Sequence, residues 1–142
     1  MKLFFVTALM LLTSIANAAD ISGLWIGYYG YGPEDAQETP FAMIIKQQGA
    51  TIQATIIEPV TFGDPNATHR QAQVLGNIND KQIQFIKQYS DGQRNAPVSY
   101  ALTVIQNQLM TGKWSIAEES GPVRMARVNA AEIKSVFTNI GL

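Results

Sequence analysis

From residue 19 to residue 128 the chain alternates apolar and polar positions, and Gly, Pro, Asn and Asp cut the alternation into pieces of strand length. The pattern predicts strands over 21–31, 40–48, 51–58, 71–78, 82–89, 98–106, 109–116 and 122–128. The segment 82–89 shows it best, with Ile83, Phe85 and Tyr89 on one face and Gln82, Gln84 and Gln88 on the other. Val98, Tyr100, Leu102 and Val104 repeat the same two-residue period, and β-branched and aromatic residues suit a pleated surface. Helical periodicity comes only at the end. Asn129 can cap a helix with Glu132 at the third position, Ile133, Val136, Phe137 and Ile140 form one stripe, and Gly141 can stop it. A short α-helix over 130–139, packed on the outside of the sheet, is the expectation.

The connections after the second, fourth and sixth strands are tight: Gly49-Ala50, Asn79-Asp80-Lys81 and Asn107-Gln108. Those after the first, third, fifth and seventh are longer: 32–39, 59–70, 90–97 and 117–121. In an up-and-down meander alternate connections lie at opposite ends, so the long loops would gather on one rim. The fold class predicted is all-β, an eight-stranded antiparallel up-and-down barrel closed by pairing of the first and last strands, which removes exposed edges. A two-sheet sandwich is the main alternative. A transmembrane barrel fits less well, because several strands are short and carry Gln and Lys on the outer face.

Residues 1–18, MKLFFVTALMLLTSIANA, have the form of an export signal: Lys2, an apolar run from Leu3 to Leu12, and Ala16-Asn17-Ala18 as a small-x-small cleavage site. The run is about half of what a bilayer span requires. Residues 19–142 then form one domain in the periplasm or outside the cell, with no membrane span left after cleavage.

Composition narrows the chemistry. Among 142 residues there are 10 Lys+Arg, 11 Asp+Glu, one His and no Cys. The absence of a basic excess argues against nucleic acid as partner. Without Cys there are no disulfides, thiolate nucleophiles or Cys-based metal sites, and a single His leaves no His-pair motif. No G-x-S-x-G occurs, and two-carboxylate hydrolysis would need Glu58 to converge with an acidic loop residue. The reading is therefore non-enzymatic, with no catalytic residue, metal or cofactor assigned.

The candidate binding residues lie near the long-loop rim. Tyr29 and Tyr31 lead into the first long loop, Tyr89 ends the fifth strand and Tyr100 begins the sixth. They offer flat apolar surface with a hydroxyl, or else are ordinary strand residues at a rim. His69, Arg70 and Arg94 could place cations above them for an anionic head group, or could simply be solvated loop charges. Glu34, Asp35, Glu38 and Glu118-Glu119 give the same end an acidic rim whose spacing matches no calcium loop.

Gly23-Leu24-Trp25 heads the first strand and Arg127 ends the last. A G-x-W at the start of an eight-strand meander with a last-strand Arg resembles the calycins, the lipocalins and their avidin-like relatives. The resemblance implies that Trp25 closes the barrel floor with Arg127 across its ring, and that the barrel binds a small apolar molecule. Gly112-Lys113-Trp114 adds an avidin-like note, but the several Trp residues of a biotin site are missing. The function expected is an exported binding barrel for a small apolar or amphipathic molecule, an anionic one included. The alternative is a filled-core interaction or inhibitor module that grips a protein partner with its long-loop rim.

Overall fold

A computed structural model describes residues 18–32, 38–92 and 96–131. Eight strands run β1 Gly23–Tyr29, β2 Thr39–Gln48, β3 Thr51–Pro59, β4 His69–Asn79, β5 Gln82–Tyr89, β6 Val98–Ile105, β7 Leu109–Ile116 and β8 Glu119–Arg127. Each pairs antiparallel with the next, and β8 returns to β1 to close a barrel. Closure answers the alternation: every strand buries one face, and no edge is left to pair. The predicted up-and-down barrel is the architecture observed, and the sandwich alternative is excluded.

The tight turns fall where residues tolerate positive φ. Gly49 (60°), Asp80 (54°), Gln106 (49°) and Asn107 (61°) sit in the connections at one end, the floor. The long connections β1–β2, β3–β4 and β5–β6 lie at the other end, the mouth. One expectation needs correction. The β7–β8 connection is a two-residue turn, Ala117-Glu118, because Ile116 pairs directly with Glu119 and Ala117 takes φ 49°. Residues 119–121, read as loop, are therefore strand. The described residues contain no helix element; of the predicted C-terminal helix over 130–139 they include only Ala130 and Ala131, where Asn129 Oδ1 accepts from the Ala131 amide at 2.9 Å. The remainder of that segment, and all but the last residue of the 1–18 signal, lie outside the described residues.

The interior is filled from the floor upward. Trp25, Ile52, Ile78, Ile83 and Met110 form the lower layers, each no more than 1% exposed. Ile21 crosses beneath Trp25 before β1 starts, is itself fully buried, and accepts the indole N–H on its carbonyl at 2.9 Å. Trp25 and Arg127 are register partners across β1 and β8, and the Arg127 guanidinium carbon stands 5.1 Å from the indole centroid. Arg127 also donates to the Asp20 carbonyl at 2.7 Å, which ties the entering segment to the last strand. Gly23 opens β1 at φ 133°, a conformation that other residues rarely adopt, so the G of the G-x-W has a backbone reason to be glycine.

Candidate functional site

Above the apolar layers the barrel changes character. Strand parity carries Glu58 inward in register with Ile52, Ala54 and Ile56 on β3, and carries Lys87 inward between Phe85 and Tyr89 on β5. The two meet: Lys87 Nζ donates to Glu58 Oε2 at 3.0 Å and Oε1 at 3.3 Å, with both side chains 2% exposed. Tyr89 donates its hydroxyl proton to Glu58 Oε1 at 2.5 Å and accepts from Lys87 Nζ at 2.9 Å. The ammonium lies 5.4, 4.6 and 5.7 Å from the ring centroids of Tyr29, Tyr89 and Tyr100, so three aromatic rings and one carboxylate surround it. Burial and the nearby Glu58 charge push the hydroxyl pKa values of Tyr29, Tyr89 and Tyr100 above the ordinary tyrosine value. All three stay neutral hydrogen-bonding groups.

Over this polar layer sits an aromatic lip. Tyr31, 54% exposed, meets Trp114 edge-on at 5.4 Å and Tyr29 edge-on at 6.0 Å. Phe62, from the β3–β4 loop, meets Tyr89 edge-on at 5.3 Å. Trp114 is fixed by donating its indole N–H to the Gly30 carbonyl at 2.7 Å. That contact needs Gly121, since a Cβ there would collide with the Gly30 carbonyl and the Trp114 ring. Between these side chains is a depression of about 30 Å³, lined by Tyr29, Tyr31, Phe62, Lys87, Tyr89, Val98, Tyr100, Trp114, Ile116 and Glu119. That is room for roughly one or two waters, far below the roughly 300–1,000 Å³ of drug-sized ligand sites.

The sequence-selected residues divide. Tyr29, Tyr89 and Tyr100 come together around Lys87, with Tyr31 above them. Arg70 is also drawn inward, to 3% exposure, and does not stand on the lip. Its Nε donates to Asp91 Oδ2 at 2.6 Å, an Nη donates to the Phe62 carbonyl at 2.6 Å, and its guanidinium carbon lies 3.8 Å from the Phe62 ring centroid. His69 precedes it by one residue, so the pleat turns it to the opposite, exposed face, next to the Thr68 hydroxyl. The two cannot cap the mouth together. Arg94, Glu34 and Asp35 lie outside the described residues, while Glu38 pairs with Arg124 at 2.5 Å on the outer surface. Reading the sequence missed the Glu58–Lys87 pair. The signal was present in strict alternation, which puts Lys87 on the face of Phe85 and Tyr89. Among the described residues no group of three His, Cys, Asp or Glu side chains could hold a metal, and no helix is long and apolar enough to cross a membrane.

No protein-family model matches the chain, and no curated protein matches it. Among solved structures the chain is similar to two redesigned β-barrels. One, b11L5F_LGL, superposes with TM-score 0.60 at 12% identity, over 77% of this chain and 91% of that one. The other, mFAP1 bound to DFHBI, gives TM-score 0.59 at 12% identity, over 76% and 94%. At such identity the likeness is one of fold.

Proposed function

We propose that this protein is an exported, non-enzymatic binding barrel that takes a small, flat amphipathic molecule on its aromatic mouth, above an interior that is already full. The observation that carries the reading is the mouth itself: Tyr31, Phe62 and Trp114 stand around a depression of about 30 Å³ whose base is the buried Glu58–Lys87–Tyr89 cluster. Burying an ion pair costs several kcal/mol of desolvation per ion, and a fold that only needed filling would do as well with Leu and Met there. The cluster instead keeps polar groups under an aromatic surface, a combination that orients a ring bearing a hydroxyl or carbonyl. The redesigned barrel mFAP1 is bound to DFHBI, and this supports a small molecule as ligand of a barrel of this shape. An anionic head group gains less support, because Arg70 is already engaged by Asp91 and the Phe62 carbonyl. The Gly23, Trp25 and Arg127 floor supports kinship with the calycins, and the form of residues 1–18 supports export.

A second reading, a module that seats a protein partner's side chain on the same lip, is favoured by the small cavity together with the exposure of Tyr31. Native mass spectrometry of protein recovered from the exporting compartment separates the two. A co-purified small molecule lost on Tyr31→Ser supports the ligand reading, and a co-purified polypeptide lost on the same change supports the partner reading. The same preparation should begin at Ala19, and a chain beginning at Met1 would overturn export.

A further inference from the structure

The mouth depression of about 30 Å³ admits no ring, so a ligand ring that settles there must take the place of a side chain. Among the lining residues only Tyr31 and Phe62 lie outside the strands. Tyr31 is 54% exposed and rests on the Tyr29 and Trp114 rings, so its departure would uncover further aromatic surface. Phe62 covers a cation. Its ring centroid is 3.8 Å from the Arg70 guanidinium carbon and 5.3 Å, edge-on, from the Tyr89 centroid, and the Arg70 carbon is 5.2 Å from Tyr89. Of these three side chains Phe62 is the half-buried one, and the other two are buried.

Arg70 does not need Phe62 to stay in place. β4 carries it, and its Nε donates to Asp91 Oδ2 at 2.6 Å. Phe62 is held differently. It belongs to the β3–β4 loop, whose hydrogen bonds join loop residues to one another, Val60 to Thr68 at 3.4 Å, and Asn66 and Ala67 to Asp64 at 2.9 and 3.3 Å. Arg70 Nη2 donates to the Phe62 carbonyl, so the ring can turn about its side-chain bonds while this backbone tie persists. A phenyl ring is also a weaker partner for a cation than an electron-rich ring such as indole. Arg70 Nη1, moreover, is buried with no hydrogen-bond partner among the described residues, and phenylalanine offers it no acceptor.

We propose that the Phe62 ring is a stand-in, and that the slot it fills beside Arg70 and Tyr89 is the recognition site for the ligand's own ring. The ligand class is then a flat, electron-rich aromatic with a hydroxyl or carbonyl oxygen at its edge. Its π face stacks on the Arg70 guanidinium as Phe62 turns out, and its oxygen supplies the acceptor that Nη1 lacks. Arg70 is the residue that sets this specificity, through its flat face and not through an ion pair. The inference rests on the mouth reading above and narrows it.

The test titrates the full chain with β-naphthol, a flat ring system with one hydroxyl, and follows binding by calorimetry. Phe62→Ala removes the stand-in and should tighten naphthol binding by about tenfold or more, because no side chain has to be displaced. Decahydro-β-naphthol keeps the hydroxyl and the carbon skeleton but has no π face, and Phe62→Ala should leave its affinity unchanged. Arg70→Lys in the Phe62→Ala background keeps the charge, loses the flat guanidinium and should remove the gain for naphthol. The comparison of the two alcohols decides the matter if that double variant does not fold. Equal gains for both alcohols would show only a widened mouth and overturn the slot. Naphthol binding of equal affinity in wild type and Phe62→Ala would also overturn it, with the mouth reading intact. No naphthol binding by either protein would overturn both.

Discussion

Lys87 Nζ lies 3.0 Å from Glu58 Oε2 inside the barrel, on strands two apart in the meander, and neither side chain is more than 2% exposed. Each charge is tolerable only because the other is there. Glu58→Gln or Lys87→Met should each cost about 3–5 kcal/mol, since each strands a buried charge. The double change Glu58→Leu with Lys87→Met should cost clearly less than the sum of the singles. Urea unfolding of the four proteins measures this directly, and additive losses would mean that the two groups are not coupled in the fold.

That pair also marks how far the sequence could be read. Eight strands, their order and barrel closure follow from alternation and from turn residues, because a two-residue period leaves a half-buried strand few other arrangements. Tyr29, Tyr89 and Tyr100 could be placed near the mouth by strand direction alone. Lys87 could have been placed by the same parity, but a lysine flanked by Gln88 and Ile86 looks like a solvated residue unless its cross-barrel carboxylate is known. Arg70 failed for the opposite reason. Its type suggests a lip charge, and only the tertiary contacts with Asp91 and Phe62 show it turned inward. Ala117-Glu118 was read into a longer loop because alanine gives no hint of the positive φ that it adopts.

At the other end of the barrel the floor depends on Trp25 and Arg127. Trp25→Ala empties a fully buried aromatic site and should cost about 3–5 kcal/mol in thermal or urea unfolding. Arg127→Lys keeps the charge but loses the flat guanidinium over the indole, for which about 0.5–2 kcal/mol is expected. Equal stability of Arg127→Lys and wild type would show that the stacking contributes nothing.

The buried tyrosines give the protein an alkaline limit. Tyr29, Tyr89 and Tyr100 have hydroxyl pKa values raised in the folded state, chiefly by burial and then by the Glu58 charge. An unfolded tyrosine ionises near pH 10, so above that pH the folded state binds more protons than the unfolded one and stability falls as pH rises. Below pH 10 these three groups should contribute no pH dependence. Above it each costs about 1.4 kcal/mol per pH unit until its folded-state pKa is passed. Absorbance near 295 nm should show these three ionising only together with loss of structure. Their titration near pH 10 in the folded protein would contradict the burial argument.

The proposed ligand site is the mouth, because the core below it is filled by side chains. The most direct measurement is the affinity of the protein for a series of fluorescent carboxylic acids with one aromatic head and increasing acyl length. A tail entering the barrel would gain about 0.8 kcal/mol per buried methylene, so two extra carbons would tighten binding by about tenfold or more. With only about 30 Å³ open beneath the lip, affinity should follow the head group and stay flat with tail length. A steady tightening of roughly tenfold for every two carbons would contradict binding on the mouth and return the ligand to the barrel interior.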